Sequence, residues 1–224
     1  KHPSIIENIM GIKRRKGSVQ KGKKPILINH LKSIIKVIDE LKIYEIKKLR
    51  DKSIILIGFG GGFRRNEIIS IDYEDLEFVT EGLKIMIRKS KTDQFGEGMI
   101  KGLPYFNNET YCPVLNLKKW LEISKIKSGP IFRRFSKGSS LSDKRLTDQS
   151  VVLIMKEYLK LAGIESKNFA GHSLRSGFAT VAAESGADER SIVEMTGHKT
   201  TQMVRRYIKE ANLFKNNALN KIKL

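Results

Sequence analysis

The sequence predicts a mostly helical α+β fold that contains one small three-stranded antiparallel sheet. Most of the chain places apolar residues three and four positions apart, which is the spacing of amphipathic helices. Residues 73–104 instead contain short, partly alternating apolar stretches separated by turns, which is typical of antiparallel strands. With 224 residues, 40% of them hydrophobic, the chain is long enough to form one sizeable core.

Residues 1–24 are predicted to form a basic linker. Seven of their eight basic residues stand in two runs, the first of which includes Lys13, Arg14 and Arg15. Glycine, serine and charge argue against a packed element here. The composition leaves open whether the linker follows a DNA backbone or is a disordered tail. Because the chain starts at Lys1 rather than at methionine and shows no signal peptide, we expect it to be a piece of a longer protein.

The first packed helix is predicted over residues 29–41, with Asn29 as its N-cap. Its apolar residues follow the spacing of one helix face: Leu31, Ile34, Ile35, Ile38 and Leu41. A buried segment at residues 54–57 then leads to the glycines at 60–62. This glycine run lacks the Gly-Lys-Ser/Thr ending of a phosphate loop, so we predict a helix end and a turn.

The sheet is predicted to have Lys91 at the tip of its second hairpin, with turns at Gly82 and at residues 93–98. Its strands are predicted at residues 76–79, 83–88 and 98–100. Residues 125–145 are predicted to be a basic loop region. Further helices are predicted at 114–123, from a Thr147-Asp148 cap to Leu159, at 172–185, 188–195 and 200–208, and as a short apolar stripe over 213–222.

The charge of the chain predicts a polyanionic partner. There are 43 Lys and Arg against 24 Asp and Glu, which gives a formal net charge of +19. Nucleic acid is the favoured partner, although a ribosomal-type or merely soluble basic protein has a similar composition. No apolar run approaches the length of a membrane span. The single cysteine, Cys112, excludes an intrachain disulfide and fits a reducing compartment, so we expect a cytoplasmic, nucleoid-associated protein.

Several polar residues have the chemistry needed to break a phosphodiester. That reaction needs cations on the non-bridging oxygens, a nucleophile and a proton for the leaving oxygen. Arginine suits the first task because its planar fork stays ionised and binds two phosphate oxygens at once. Taken singly, each candidate also has an ordinary explanation as an ion pair, a helix cap, a packing tyrosine or an exposed lysine. The candidates are Arg64, Lys91, His172, Arg175, His198 and Tyr207, with Glu67 placed to orient Arg64.

The order and spacing of these residues closely resemble the tyrosine recombinase (phage integrase) family. The resemblance covers residues 25–210, and no expected catalytic position departs from the family pattern. It implies the catalytic-domain fold of that family. The matching segments are residues 62–68, 88–94, 171–180, 196–199 and 204–208.

The resemblance also implies a role for each residue. Arg64 and Arg175 clamp the scissile phosphate, and Glu67 supports Arg64. Tyr207 is the nucleophile, which forms a 3′-phosphotyrosyl bond and releases a 5′-hydroxyl.

The remaining implied roles concern protons and the phosphate oxygens. Lys91 is the general acid for the leaving oxygen, His172 assists proton transfer, and His198 hydrogen-bonds the phosphate. A phenol with a pKa of about 10 is a poor nucleophile at neutral pH, so it needs the cationic pocket. The phosphotyrosine retains the energy of the broken ester, so resealing needs no ATP. The four histidines and Cys112 form no recognised ligand set, so neither a metal nor a cofactor is expected.

The family further implies double-stranded DNA as partner, assembly as a tetramer on DNA, and an N-terminal core-binding domain that this chain lacks. Residues 211–224 either pass to a neighbouring subunit or fold back on their own core. A monomer without DNA is compatible with both. The residues predicted to contact DNA are Lys13, Arg14, Arg15, Arg65, Lys89, Arg133 and Arg134.

We therefore predict a site-specific DNA recombinase domain, encoded by a phage or an integrated mobile element. One alternative is a type IB topoisomerase, which uses similar phosphotyrosine chemistry to relax supercoils. Another is a non-catalytic DNA-binding protein that retains the fold. The target site is not readable from one sequence, because specificity lies in groove contacts and DNA deformation.

Overall fold

The computed structural model describes residues 2–16, 22–88, 98–136, 140–197, 201–211 and 218–222. Its helices are α1 Pro3–Lys16, α2 Ile28–Glu40, α3 Glu45–Gly60, α4 Arg65–Ser70, α5 Pro113–Ser124, α6 Asp148–Leu161, α7 Ser173–Glu184, α8 Glu189–Thr196 and α9 Thr201–Ala211. Its strands are β1 Leu76–Val79, β2 Gly82–Ile87, β3 Met99–Pro104, β4 Arg133–Phe135 and β5 Leu141–Arg145. Short 3-10 turns lie at Tyr73–Asp75, Glu109–Tyr111, Ser166–Asn168 and Ala218–Lys221.

The predicted three-stranded antiparallel sheet is confirmed. Strand β2 lies in the middle and pairs with β1 through Phe78 opposite Leu83, and with β3 through Ile85 opposite Lys101. The tip of the β2–β3 hairpin, where Lys91 was predicted, lies outside the described residues.

A second, two-stranded sheet replaces part of the predicted basic loop at 125–145. Strands β4 and β5 pair antiparallel, with Arg133 opposite Arg145. The prediction was wrong here because neither strand alternates apolar with polar residues. Side-chain contacts hold them instead: Arg133 Nη1 lies 2.7 Å from Asp143 Oδ1, and Arg145 Nη2 lies 2.5 Å from Asp72 Oδ1.

The first two helices differ from the prediction. Helix α2 begins at Ile28, and its N-cap is Leu27, two residues before the predicted cap Asn29. The Nδ1 of the His30 ring, at the third helical position, accepts a hydrogen bond from the Leu27 amide at 3.1 Å, which is the reciprocal half of a capping box. Helix α1 lies within the predicted linker, which was not expected to be helical. The prediction weighed charge and glycine above the spacing of Ile5, Ile6 and Ile9, and these three side chains are exposed.

The main core lies between α2, α3, α5, α6 and the inner face of the first sheet. Its fully buried aromatic side chains are Phe63, Trp120, Phe132, Tyr158 and Phe169. A separate small cluster of Ala179, Ala183, Ile192 and Val204 joins α7, α8 and α9, with Tyr207 and Ile208 packed at its edge. None of the helices in the described ranges is both long and apolar enough to cross a membrane.

The glycine turn after α3 forms as predicted. The Gly61 amide donates to the Ile57 carbonyl, and Gly62 adopts a left-handed φ of 54°. A Cβ on Gly62 would also lie 2.9 Å from the Phe178 ring, so only glycine fits there. This turn places Arg64, two residues after Gly62, at the start of α4.

Candidate active site

Arg64 is oriented on three sides. It is the N-cap residue of α4, and its Nη1 lies 2.6 Å from Oε1 of Glu67, which is 2% exposed. The second oxygen of Glu67 accepts the Arg64 amide at 2.9 Å. The Nη2 of Arg64 donates at 3.1 Å to the carbonyl of Gly197, the residue directly before His198 in the sequence. Glu67 therefore holds both the guanidinium and the backbone amide of Arg64.

Arg175 lies in the first turn of α7 and is only 3% exposed. Its Nη1 donates to the Gly62 carbonyl at 2.9 Å, so the glycine turn holds both arginines. Its Nη2 is buried and has no hydrogen-bond partner in the described part of the chain. A buried guanidinium N–H without an acceptor is costly, and an anion would supply one.

The pKa of Arg175 is lowered to about 10, chiefly by burial and then by the charge of Arg64, while Glu67 and Tyr207 oppose the shift. Arg175 therefore remains a cation at neutral pH, but it is held in a pocket with excess positive charge. A phosphate between the two arginines would offset that excess.

His172 and Tyr207 line one open cleft of about 490 Å³. The cleft is bounded by the start of α7, by α9 and by residues 22–25. These last residues are fixed in place, because the Lys24 amide donates to the Asn168 carbonyl at 2.8 Å and the Ile26 amide to the Ser173 carbonyl at 2.9 Å. A Cβ on Gly177 would lie 2.1 Å from the Ile26 carbonyl oxygen, so this approach requires a glycine in α7.

The structure thus brings Arg64, Glu67, Arg175, His172 and Tyr207 to one region, near the starts of α4 and α7 and beside α9. Lys91 and His198 lie outside the described residues.

Lys101 also lies in this region and was not predicted. Its side chain is 2% exposed, and its Nζ donates to the Gly61 carbonyl at 2.9 Å. The sequence signal was available, because Lys101 alternates with Leu103 on the inward face of β3. The predicted strand ended at residue 100, which removed Lys101 from that pattern.

The predicted DNA contacts differ in how available their side chains are. Arg14 and Arg15 are exposed on α1. The guanidinium of Arg133 is engaged by the Pro130 and Ser128 carbonyls and by Asp143, while Arg134 donates to the Arg145 carbonyl. The Nε of Arg65 pairs with Asp148 at 3.0 Å. The side chain of Lys13 and all of Lys89 lie outside the described part, and all seven contacts stay predictions.

Comparison with known proteins places this geometry among relatives. The sequence model of the Phage integrase family matches residues 26–213. The chain is 46% identical over 211 residues to the integrase/recombinase xerD homolog of Selenomonas ruminantium, which covers 94% of this chain and 61% of that protein. It is 28% identical over 201 residues to tyrosine recombinase XerA of Pyrococcus horikoshii, covering 90% and 62%. The chain spans about three fifths of the length of these relatives.

Solved structures share the fold at low identity. A crystal structure of XerA recombinase has a TM-score of 0.66 at 19% identity and covers 91% of this chain and 67% of that one. XerH site-specific recombinase bound to its palindromic difH substrate, a post-cleavage complex, has a TM-score of 0.66 at 20% identity and covers 87% and 54%. A lambda integrase tetramer bound to a Holliday junction has a TM-score of 0.60 at 16% identity, covering 92% and 52%. These likenesses confirm the predicted fold.

Proposed function

Because this chain belongs to the phage integrase family, we propose that it is the catalytic domain of a site-specific DNA recombinase. It cleaves and rejoins double-stranded DNA through a 3′-phosphotyrosyl bond, and the reaction needs neither metal nor ATP. The observation that carries this proposal is the pair of arginines fixed on one glycine turn, with a buried guanidinium N–H of Arg175 unpartnered among the described residues, beside the cleft that holds Tyr207.

The first step is capture of the scissile phosphate. Arg175 donates its free N–H to a non-bridging oxygen, and Arg64 binds the phosphate from the α4 side. Both side chains are already held by backbone carbonyls, so little reorganisation is needed as negative charge builds on the oxygens. His198, next to the Gly197 carbonyl that anchors Arg64, donates a further hydrogen bond to the phosphate.

The second step is the transfer itself. The phenol oxygen of Tyr207 forms a bond to phosphorus, and the bond from phosphorus to the 5′ oxygen breaks. Lys91 gives a proton to that leaving oxygen, and His172, which lines the same cleft as Tyr207, assists removal of the phenol proton. Attack by a 5′-hydroxyl on the phosphotyrosine reverses the sequence and reseals the strand.

The domain plan and partners form part of the proposal. Residues 1–24 link to a core-binding domain, residues 25–210 form the catalytic domain, and residues 211–224 are exchanged between subunits of a tetramer on DNA. The exposure of Leu219 and Ile222, at 68% and 57%, supports an exchanged segment. We place the protein in the bacterial cytoplasm at the nucleoid, as the product of a phage or mobile element.

The proposal is tested by trapping the covalent intermediate. Selection from randomised duplexes first identifies a bound sequence, and a duplex of that sequence with a nick beside the cleavage position then traps cleaved DNA on the protein. We expect a denaturation-resistant adduct with the parent chain and with Tyr44→Phe, which changes a tyrosine that is 66% exposed. Tyr207→Phe gives none. An adduct that persists in Tyr207→Phe refutes the assignment, and binding without any adduct in the parent chain leaves only a DNA-binding protein.

A relaxation assay separates recombination from topoisomerase activity. Supercoiled plasmid without the selected sequence should stay supercoiled in the presence of the protein, because a recombinase cleaves at its own site. Relaxation of that plasmid would instead identify a type IB topoisomerase.

A further inference from the structure

Strand β3 carries a lysine where its pattern calls for an apolar residue. Along β3 the inward-facing positions are Lys101 and Leu103, which are 2% exposed each. Across the sheet, Lys101 lies opposite Ile85, which is fully buried. Burying an ammonium group so far from solvent carries a large desolvation cost, which hydrogen bonds and a paired charge must offset.

The Lys101 ammonium contacts the segment that presents both arginines. It donates to the Gly61 carbonyl at 2.9 Å and lies 3.8 Å from Oε2 of Glu67. It also sits 4.2 Å from the centre of the Phe63 ring, a cation–π distance. Gly62, between Gly61 and Phe63, is the residue whose carbonyl holds Arg175.

Charge around Lys101 is unbalanced. Among the groups that the structure describes, Lys101 interacts electrostatically with two cations, Arg64 and Arg175, and with one carboxylate, Glu67. Tyr207 interacts electrostatically with Arg175. Three cations thus share one carboxylate, and two of them are guanidinium groups that keep their protons. The pKa of Lys101 is lowered to about 7: burial is the largest cause, Glu67 opposes the shift, and Arg175 and Arg64 add to it. The lysine is the member of the group that gives up its proton.

We propose that Lys101 is a titratable third cation behind the phosphate pocket, which takes up a proton from solvent when a phosphate binds to Arg64 and Arg175. It acts as a positioning residue, because it touches the Gly61 carbonyl and Glu67 rather than the phosphate. The inference rests on the proposed function insofar as the phosphate belongs to DNA.

The direction of the proton follows from the charges. Without phosphate, the two arginines disfavour a third positive charge, and Lys101 is close to half neutral at neutral pH. A phosphate monoester or diester adds negative charge beside the arginines, which removes their repulsion and favours the ammonium. The solvent loses one proton and Nζ gains it, and no other bond changes.

Calorimetry measures this proton directly. The Tyr207→Phe chain, which cannot cleave, is titrated with a duplex of the selected sequence slightly above neutral pH, in two buffers of different ionisation enthalpy. We expect this chain to take up at least about half a proton more than the same chain with Lys101→Met. Lys101→Arg, which keeps the charge permanently, should lose the same uptake. Lys84→Met is the matched control, since Lys84 lies exposed on β2 and pairs with Glu77 at 3.1 Å.

The two Lys101 variants also separate charge from packing. Lys101→Met removes the cation and should weaken duplex binding, whereas Lys101→Arg should not. Equal proton uptake in the Lys101→Met, Lys101→Arg and Lys101-containing chains would overturn the proposal, as would loss of uptake in Lys84→Met. A purely structural role predicts no such shared loss in a neutral and a charged variant.

A second measurement stands apart from DNA cleavage. In chains labelled at lysine, the side-chain NMR signal missing from both Lys101 variants belongs to Lys101, and its pH titration is followed with and without inorganic phosphate. A midpoint near neutrality that rises with phosphate supports the proposal even if no DNA adduct ever forms. A midpoint at the value of an ordinary exposed lysine overturns it even if cleavage is confirmed.

Discussion

At the scale of single residues, the two halves of the Arg175 guanidinium have different jobs. Nη1 donates a hydrogen bond to the Gly62 carbonyl, while Nη2 is buried with no acceptor in the described part of the chain. Leaving a polar atom in that state destabilises the unliganded fold. The unpartnered N–H of Arg175 thus lowers the stability of the fold. Under the proposed function, the same N–H is already positioned before a phosphate binds, as expected of a preorganised site.

We predict that Arg175→Ala lowers the rate of adduct formation by roughly a hundredfold or more, because one preorganised donor and one charge are lost. DNA affinity should change by only a few-fold, since many other basic residues contribute to it. Adduct yield and duplex binding measured on the same samples check both statements. Arg190→Ala is the control, since Arg190 is 88% exposed and pairs with Glu194 on α8. Normal cleavage by Arg175→Ala would contradict the clamp role.

Lys101 predicts a pH dependence of folding stability. Its pKa is about 7 in the fold against 10.5 in the free side chain, so the unfolded chain binds more protons between those values. The free energy of unfolding should therefore rise with pH in that window, by about 2 kcal/mol from pH 7 to pH 9 from this group alone. Lys101→Met should lack this increment. Denaturant unfolding of both chains at the two pH values measures it, and parallel curves would exclude the shift.

The sequence located most of these residues through their order, not through any single one. Arg64, Glu67 and Tyr207 each have ordinary explanations alone, and only the ordered spacing made them a site. Lys101 was not predicted as a site residue, because it is one of many lysines and lies in no segment that matches the family pattern. Its significance comes from the sheet register, which places it on the inward face.

At the scale of elements, the close contact between α7 and the segment before α2 orders the cleft. The backbone of Ile26 both donates to the Ser173 carbonyl and lies against Gly177. This contact fixes residues 22–25 along one wall of the cleft, and so places Lys23 and Lys24 beside His172.

We predict that Gly177→Ala destabilises the fold by about 1–3 kcal/mol, because the new methyl group must displace backbone rather than a flexible side chain. The rate of adduct formation should fall as well, since α7 also carries Arg175. Gly102→Ala is the matched control, because a Cβ there meets nothing within 4 Å. Thermal unfolding compares the two variants. Equal stability of both would show that the backbone at Ile26 can move away from residue 177 at little cost.

Elements with clear periodicity were predicted well, and those held by side-chain contacts were not. Helices α2 and α6 follow from their apolar stripes, and the glycines at 60–62 mark the end of α3. Strands β4 and β5 depend on partners far away in sequence, such as Asp72 for Arg145. No local pattern records such a partner.

At the scale of the whole molecule, the charge of +19 governs association. A charge of this size favours nucleic acid of any sequence, so under the proposed function the recognition of one site must be a difference superimposed on a strong general affinity.

We predict that DNA binding weakens by about a thousandfold or more between roughly 50 and 200 mM salt, if six or more phosphates are contacted. Replacing Arg14 and Arg15 together by alanine should reduce the slope of log affinity against log salt by about 2, because each exposed arginine releases about one counterion. Binding isotherms over a salt series measure the slope. A flat response would exclude the electrostatic account, and an unchanged slope in the double variant would remove α1 from the DNA interface.

The small cluster that joins α7, α8 and α9 has a consequence for control of the reaction. Four buried side chains, two of them alanines, join α9 to α7 and α8, with Tyr207 and Ile208 packed at the edge of the cluster. Arg64 and Arg175 are held instead by the Gly197 and Gly62 carbonyls. Because this cluster is small, we expect release of α9 to cost less free energy than global unfolding. Under the proposed function, we therefore expect undocking of α9 to withdraw Tyr207 from the site while Arg175 keeps its contact with the Gly62 carbonyl.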